Sequence, residues 1–423
     1  MSLLLPWAAP LRRELDPGVL LIAGSHTIPP TRTRTARTAE IARQIAGRGG
    51  AVDVLILVEH RLQPMEEDVI DALRPRVRRL ELVPHPRIIS RPAALANRAA
   101  SLLGRKLGGI AHVPWSLLRR LSTEYAPRNY RAVIVGGAHL APCLSVFPEY
   151  SDKLLDMERL GSDALREHRA RGKGEELAVY GDGKEEFELI GGSEVVIVTS
   201  VADAVRLRAL GFRGDIALAP PLAQAESLPA ADRSSVPPLR PPRILVLGSA
   251  SEANIDGIDW FRREVLPAVL EAVPAVRLRV VGEVARKIEP GPSLDRIGWV
   301  EDIGTEYRDA SLVAIPLRMG SGIRRRAVEA VSHGRALAAT LPGVQGLGAA
   351  AGRDAIVSDD PLELARGIAA ALSSDAERRR LEARSLAMAA ERFDPRRAHA
   401  ALAERLGLPD ALVRDRPRMP VIA

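Results

Sequence analysis

Leu312-Val313-Ala314-Ile315-Pro316-Leu317-Arg318-Met319-Gly320-Ser321-Gly322-Ile323-Arg324-Arg325-Arg326-Ala327-Val328-Glu329-Ala330 decides how the rest of the chain is read. Its first four residues are apolar, as in a strand buried on both faces of a parallel sheet. Gly320 and Gly322 permit a tight turn, and residues 322–332 carry helical spacing. Strand, glycine turn and helix in that order leave backbone amides free to bind a diphosphate at the helix start. Arg324 and Arg326 add forked donors for its two negative charges. Three consecutive arginines oppose the helix dipole at that end, an unfavourable arrangement unless an anion binds there. The ordinary alternative is a basic, solvated helix start. Glu329 follows Gly322 by seven residues, about two helical turns, so it shares a face with the loop, where a carboxylate suits ribose hydroxyls.

The same grammar extends through the second half of the chain. Strands are expected at residues 243–247, 277–281, 336–339 and 355–357, and helices at 256–272, 361–372 and 375–392. Ligands of open parallel sheets bind beyond the carboxyl ends of the strands. The turn after the first of these strands, Gly248-Ser249-Ala250-Ser251 followed by Asn254 and Asp256, is a second candidate for anion approach. Such small-residue turns also occur simply to pack a strand against a helix.

The first half repeats the pattern, with strands at residues 19–23, 52–58, 80–83, 132–135, 153–156 and 195–199 and helical spacing at 39–46, 93–107, 115–122 and 201–210. Between the halves, residues 219–243 hold Pro220, Pro221, Pro229, Pro237, Pro238, Pro241 and Pro242. Proline removes backbone donors and disfavours helix in the preceding residue, so this is a linker. The division is therefore 1–219, a Rossmann-like domain, then 220–242, the linker, and 243–395, a second Rossmann-like domain. Residues 396–423 form a C-terminal helix and tail, with packing back on the first domain as one option.

At 423 residues, two α/β domains are the natural expectation, and 46% apolar with 27% charged residues is a globular balance. The formal charge of +7 and a pI near 9.9 first suggest nucleic acid. Aromatics are only 3% of residues and no nucleic-acid-binding signature is present, so no nucleic acid is expected. An anionic substrate or an anionic membrane face accounts for the charge as well. No apolar run approaches the ~18 residues of a bilayer span, the opening leucines make a poor signal peptide, and the single Cys143 suits a reducing cytoplasm. A cytoplasmic protein, peripheral at the inner membrane face as an option, is the expectation.

The ordered series Gly248-Ser249, Asn254-x-Asp256-Gly257 with Trp260-Phe261, Val281-Gly282, Pro316-Leu317-Arg318, Gly320-Ser321-Gly322-Ile323-Arg324, Glu329-Ala330, Gly334-Arg335 and Gly343-Val344-Gln345-Gly346-Leu347 resembles the C-terminal domain of the glycosyl transferases group 1 family, retaining and family 4-like. In the first half, Pro29-Pro30 with the following helix, and residues 185–211, resemble the opening and closing units of the family's other domain. The resemblance implies a GT-B fold, in which two Rossmann-like domains face each other across a cleft, residues 1–219 on the acceptor side and residues 243–395 binding the nucleotide-sugar donor. It implies a hexosyltransferase-like enzyme of glycan biosynthesis that takes a nucleoside diphosphate sugar to a glycan, lipid-linked or small-molecule acceptor. The family's basic pair on the diphosphate aligns with Arg324 and Arg326. Of its two glutamates separated by seven residues, Glu329 matches the second, on ribose, whereas Ser321 stands at the first. Retention in this family is thought to use the donor phosphate as base.

Candidate catalytic groups at strand ends are His139, Asp156 and Glu158, suited to orienting an acceptor hydroxyl or taking its proton. His139 is also readable as a structural loop residue, as are His112 and His333. Ser25-His26 and the alternating run of residues 31–35 face either an anionic ligand or solvent. Arg105, Lys106, Arg119 and Arg120 mark a basic amphipathic surface that either rests on an anionic membrane or covers the sheet. No Asp-x-Asp motif accompanies the donor loop, so no metal and no cofactor are expected. Two other functions stay open on this architecture: a nucleotide-sugar epimerase, and a non-catalytic nucleotide-sugar-binding partner of another transferase.

Overall fold

The computed structural model describes residues 16–24, 33–58, 64–84, 113, 115–173, 183–223 and 241–409. One sheet contains β1 (Asp16–Gly24), β2 (Val52–Val58), β3 (Arg79–Pro84), β4 (Tyr130–Gly136), β5 (Asp152–Met157), β6 (Val195–Val198) and β7 (Asp215–Leu218), in the order β3-β2-β1-β4-β5-β6-β7. The other contains β8 (Arg243–Leu247), β9 (Arg277–Val281), β10 (Leu294–Ile297), β11 (Leu312–Ile315), β12 (Leu337–Ala339) and β13 (Ile356–Val357), in the order β10-β9-β8-β11-β12-β13. All these pairs are parallel.

Helices α1 (Thr33–Gly47), α2 (Pro64–Leu73), α3 (Trp115–Arg120), α4 (Gly161–Arg169), α5 (Lys184–Ile190) and α6 (Val201–Ala209) alternate with the first sheet. Helices α7 (Glu252–Trp260), α8 (Leu266–Ala272), α9 (Ile303–Arg308), α10 (Arg325–Ser332), α11 (Pro361–Ser373) and α12 (Asp375–Arg392) belong to the second, and α13 (Ala400–Arg405) ends the described chain.

The central strands are mostly apolar because both faces are covered. In β1, Val19 and Leu21 enter one core with Ile41 and Ile45 of α1, while Leu20 and Ile22 enter another with Leu117 and Leu121. In β8, Ile244 and Val246 meet Ile258 and Phe261, while Leu245 and Leu247 meet Val328 and Val331. Burying an aliphatic side chain of this size contributes roughly 1.5–3 kcal/mol, so neither helical layer is dispensable.

The chain passes between the domains twice. After α12 it returns to the first domain, where Leu402 and Leu406 of α13 join the core of Val54 and Ile56. The two crossings touch where the Ala223 amide donates to the Phe393 carbonyl at 2.8 Å.

Two differences from the sequence reading have clear causes. The short strands β7 and β10 escape it because they lie at sheet edges and carry polar residues, as in Leu294-Asp295-Arg296-Ile297. The helix expected from Gly322 begins instead at Arg325: Gly320 and Gly322 have φ of 101° and 82°, which an α-helix excludes, and Arg324 is extended. Ser25, His26, Pro29, Pro30, Thr31, Arg32, the expected helix at 93–107 with Arg105 and Lys106, His112, and linker residues 224–240 lie outside the described residues.

Candidate functional site

In the second sheet the strand order reverses between β8 and β11, so the loops after these strands border a crevice at their carboxyl ends. The β11 loop is gripped from two sides. A β-carbon at Gly257 of α7 would overlap the Pro316 carbonyl, and one at Gly343 would overlap the Ile315 carbonyl. With the helix starting at Arg325, the amides of residues 320–324 belong to a loop rather than to a helical turn, and Glu329 lies one turn inside α10.

Arg324 braces this loop. It donates from Nε to the Pro342 carbonyl (2.9 Å), from Nη1 to the Ser321 carbonyl (3.1 Å) and from Nη2 to the Gly320 carbonyl. Carbonyls satisfy its hydrogen bonds without cancelling its charge. Burial first, and then the Arg159 guanidinium, push its pKa down to about 10, against the pull of Glu167 and Asp203.

Arg326 and Glu329 form a separate unit. Glu329 is 4% exposed, and its Oε2 accepts from Arg326 Nη1 at 2.6 Å and from the Tyr307 hydroxyl at 2.9 Å. Both bonds fall on one oxygen, and Oε1 carries neither. Tyr307 comes from α9 and stacks on His333, ring centroids 4.5 Å apart and planes 11° from parallel. Burial and then the Glu329 charge hold the phenol well above its ordinary pKa, so it donates at any physiological pH. Burial opposes the Arg326 charge, but Glu329 more than offsets it.

On the β8 loop, Asn254 Nδ2 donates to the Ser249 carbonyl at 3.0 Å, and a β-carbon at Gly248 would lie 2.9 Å from Asn254 Cγ. Gly248 is thus held against α7, and Ser249 is exposed. Arg318 turns toward the same helix, with its guanidinium 5.7 Å from the Trp260 ring centroid and 3.7 Å from Asp256 Oδ2.

The first domain meets these loops directly. Ser321 Oγ donates to the Leu160 carbonyl at 3.1 Å, and Arg171 Nε donates to the Arg318 carbonyl at 2.8 Å. Lys173 lies 3.3 Å from Asp256, and His168 lies 3.6 Å from Glu252. A β-carbon at Gly322 would be 2.9 Å from Arg159 Cβ and 3.1 Å from the Glu158 carbonyl, so only glycine allows this approach without displacing a neighbour.

Of the three strand-end candidates, Glu158 is brought to the β11 loop through its backbone. Its carbonyl also accepts from Thr199 Oγ1 at 3.0 Å. His139 is half-buried in the 3-10 segment Ala138–Val146, beside the order reversal between β1 and β4. Asp156 is placed elsewhere: its two oxygens lie 3.1 and 3.4 Å from Arg37 of α1, which also donates to the Ala219 carbonyl at 2.6 Å. Arg37, Arg159 and Tyr307 were not singled out in the sequence. Arg159 shares the strand end that marked Asp156 and Glu158, whereas nothing local marks Tyr307 as a partner of Glu329, 22 residues away.

The family described as Glycosyl transferases group 1 matches residues 241–374. A comparison with curated proteins finds no match. Among solved structures, Anabaena Alr3699/HepE in complex with UDP is 14% identical, covers 92% of this chain and 99% of its own, and has a TM-score of 0.57. TarM is 10% identical over 93% of this chain and 99% of its own, at 0.63. An alpha,alpha-trehalose-phosphate synthase (UDP-forming) from Burkholderia vietnamiensis is 12% identical over 92% and 100%, at 0.57. At these identities the likeness establishes the fold, two Rossmann-like domains of the GT-B type. No helix among the described residues is long and apolar enough to cross a membrane.

Proposed function

We propose that this chain, whose residues 241–374 match the Glycosyl transferases group 1 family, is a glycosyltransferase whose donor, a nucleoside diphosphate sugar, is held on the loop between β11 and α10. One constellation carries the reading: two positive-φ glycines and the Arg324 guanidinium on one loop, followed by the Arg326 guanidinium and the buried Glu329 carboxylate on the first turns of the helix it leads into. The loop amides and Arg326 take the diphosphate, Glu329 takes ribose hydroxyls, and the Gly248 turn approaches from β8. Arg324 acts mainly by fixing the loop and by its uncancelled charge. The HepE structure with UDP and glucose shows that another protein of this fold takes such ligands.

The acceptor, whether glycan, lipid-linked glycan or small molecule, belongs to the first-domain wall of the cleft. Transfer proceeds with retention, the donor phosphate taking the acceptor proton, and with guanidiniums rather than a metal meeting the phosphate charge. Hinge closure excludes water. A seat on an anionic membrane face would use α3, where Trp115 is 78% exposed and Arg119 is exposed, while Arg120 is taken up by Glu81 and Glu124.

Calorimetric titration of UDP, GDP and ADP and their sugars against the wild type and Arg326→Ala tests the donor site. A nucleotide that binds the wild type and loses about 2 kcal/mol in the variant, as for a charged hydrogen bond, supports it. Binding that survives a chelator supports the metal-free reading. If no nucleotide binds the wild type, the donor reading fails. The anomeric configuration of the first product identified tests retention.

A further inference from the structure

Arg159 stands two residues beyond β5 and is half-buried. Among the described residues no hydrogen bond or ion pair engages its guanidinium. Its β-carbon forms the wall against which Gly322 packs. Its charge is, after burial, the strongest influence holding Arg324 below the usual guanidinium range. Two guanidiniums from different domains therefore converge on one glycine loop.

The nearby carboxyls compensate them poorly. Asp203 is occupied by the hydroxyls of Ser200 (2.6 Å) and Thr199 (3.3 Å). Burial pushes both Asp203 and Glu167 toward their neutral forms. Like charges in a partly dry cleft repel unless an anion lies between them.

Direction along the site identifies which part of the anion that is. Glu329 lies one turn inside α10, so the ribose end belongs there, and the loop tip at Gly322 lies toward the first domain. The phosphate farthest from the nucleoside falls at that tip. Resting on the donor reading above, we propose that Arg159 is a ligand of the donor's distal phosphate, supplied by the first domain, so that the complete phosphate site exists only while the two domains are together. During transfer the bond from the sugar's anomeric carbon to that phosphate breaks and leaves its electron pair on the phosphate oxygen. The acceptor oxygen bonds the carbon, and its proton passes to the released phosphate. A fixed guanidinium there favours the departing charge.

Titration of UDP and UMP, or of GDP and GMP if uridine nucleotides do not bind, against the wild type, Arg159→Gln and Arg159→Lys decides the matter. Arg159→Gln is expected to weaken the diphosphate about tenfold or more, as for one charge-assisted hydrogen bond, and to leave the monophosphate unchanged. Arg159→Lys restores part of the loss. The thermal transition stays in place, because no bond among the described residues engages this guanidinium. Equal losses for both nucleotides, or no loss for either, overturn the assignment. If the wild type binds no nucleoside diphosphate, the donor reading itself fails and this inference with it, an outcome distinct from binding that ignores residue 159.

Discussion

Arg325 Nη2 lies 3.1 Å from Glu40 Oε2 and so joins the first residue of α10 to helix α1 of the other domain. The contact opens a buried chain of charges. Glu40 Oε1 accepts from Arg37 at 3.0 Å, Arg37 reaches Asp156 and the Ala219 carbonyl, and His399 bonds the Pro220 carbonyl at 2.8 Å. Helix α10 is thereby tied to both chain crossings.

Glu40 and Arg325 carry unequal parts of this chain. Glu40 is 6% exposed and serves Arg37, whereas Arg325 is half-buried. Burial disfavours the Glu40 charge, but Arg325 and Arg37 more than offset it and hold its pKa below the ordinary value. Glu40→Gln leaves Arg37 short of a buried counter-charge and is expected to cost about 3 kcal/mol, against about 1 kcal/mol for Arg325→Met. Denaturant unfolding of the two variants checks the order. Equal losses would mean that Glu40 matters only as the partner of Arg325.

Tyr307 and Glu329 give a second ordering. The phenol fixes the carboxylate rotamer without being placed on the nucleotide. Tyr307→Phe is therefore expected to weaken nucleoside diphosphate binding by ~1 kcal/mol, the size of one neutral-donor hydrogen bond. Glu329→Gln is expected to cost about 2 kcal/mol or more, because it removes the proposed ribose acceptor and the counter-charge of the half-buried Arg326. Calorimetry on both settles the order. A Tyr307→Phe loss as large as that of Glu329→Gln would move Tyr307 from the support to the ligand surface.

These orderings also mark where sequence reasoning stopped. The strands at 243–247, 277–281 and 312–315 were legible to the residue, because uninterrupted apolar runs between polar turns have little else to become in an α/β chain. The glycine turn after β11 was legible too, since Gly320 and Gly322 announce positive φ. The helix start was not: helical spacing continues backward from Ala327, and only the backbone dihedrals of residues 320–324 show that it fails there. Nor were the pairings Arg37–Asp156 and Arg325–Glu40, spanning 119 and 285 residues. Charged residues on helices look alike in sequence, and the fold decides which of them meet.

Gly257 separates local propensity from packing. It lies inside α7, where alanine would favour the helix by about 1 kcal/mol. Its missing side chain, however, admits the Pro316 carbonyl at the base of the β11 loop. Gly257→Ala is expected to destabilise the second domain by roughly 1–3 kcal/mol through overpacking and to weaken nucleotide binding by displacing residues 316–320. Thermal unfolding with and without nucleotide checks both. A rise in melting temperature would show that the β11 loop yields freely.

His399 supplies the pH dependence of the crossing. Burial first, and then the Arg37 guanidinium, push its imidazole down to about 4 from an ordinary value of 6.5. At neutral pH the ring is uncharged, and Nε2 donates to the Pro220 carbonyl. Because the folded pKa lies below the unfolded one, the unfolded chain binds more protons between pH 6.5 and 4. Stability is therefore complete above about 6.5 and falls with pH until the folded ring also protonates near 4, a loss on the order of 3 kcal/mol. His399→Gln keeps an amide donor for Pro220 but cannot titrate. Its unfolding free energy is expected to fall less steeply than the wild type's across that window, with the two curves parallel above pH 7. Parallel curves throughout would mean that the ring is already solvated in the folded state, and that the crossing is held by Arg37 and α13 without it.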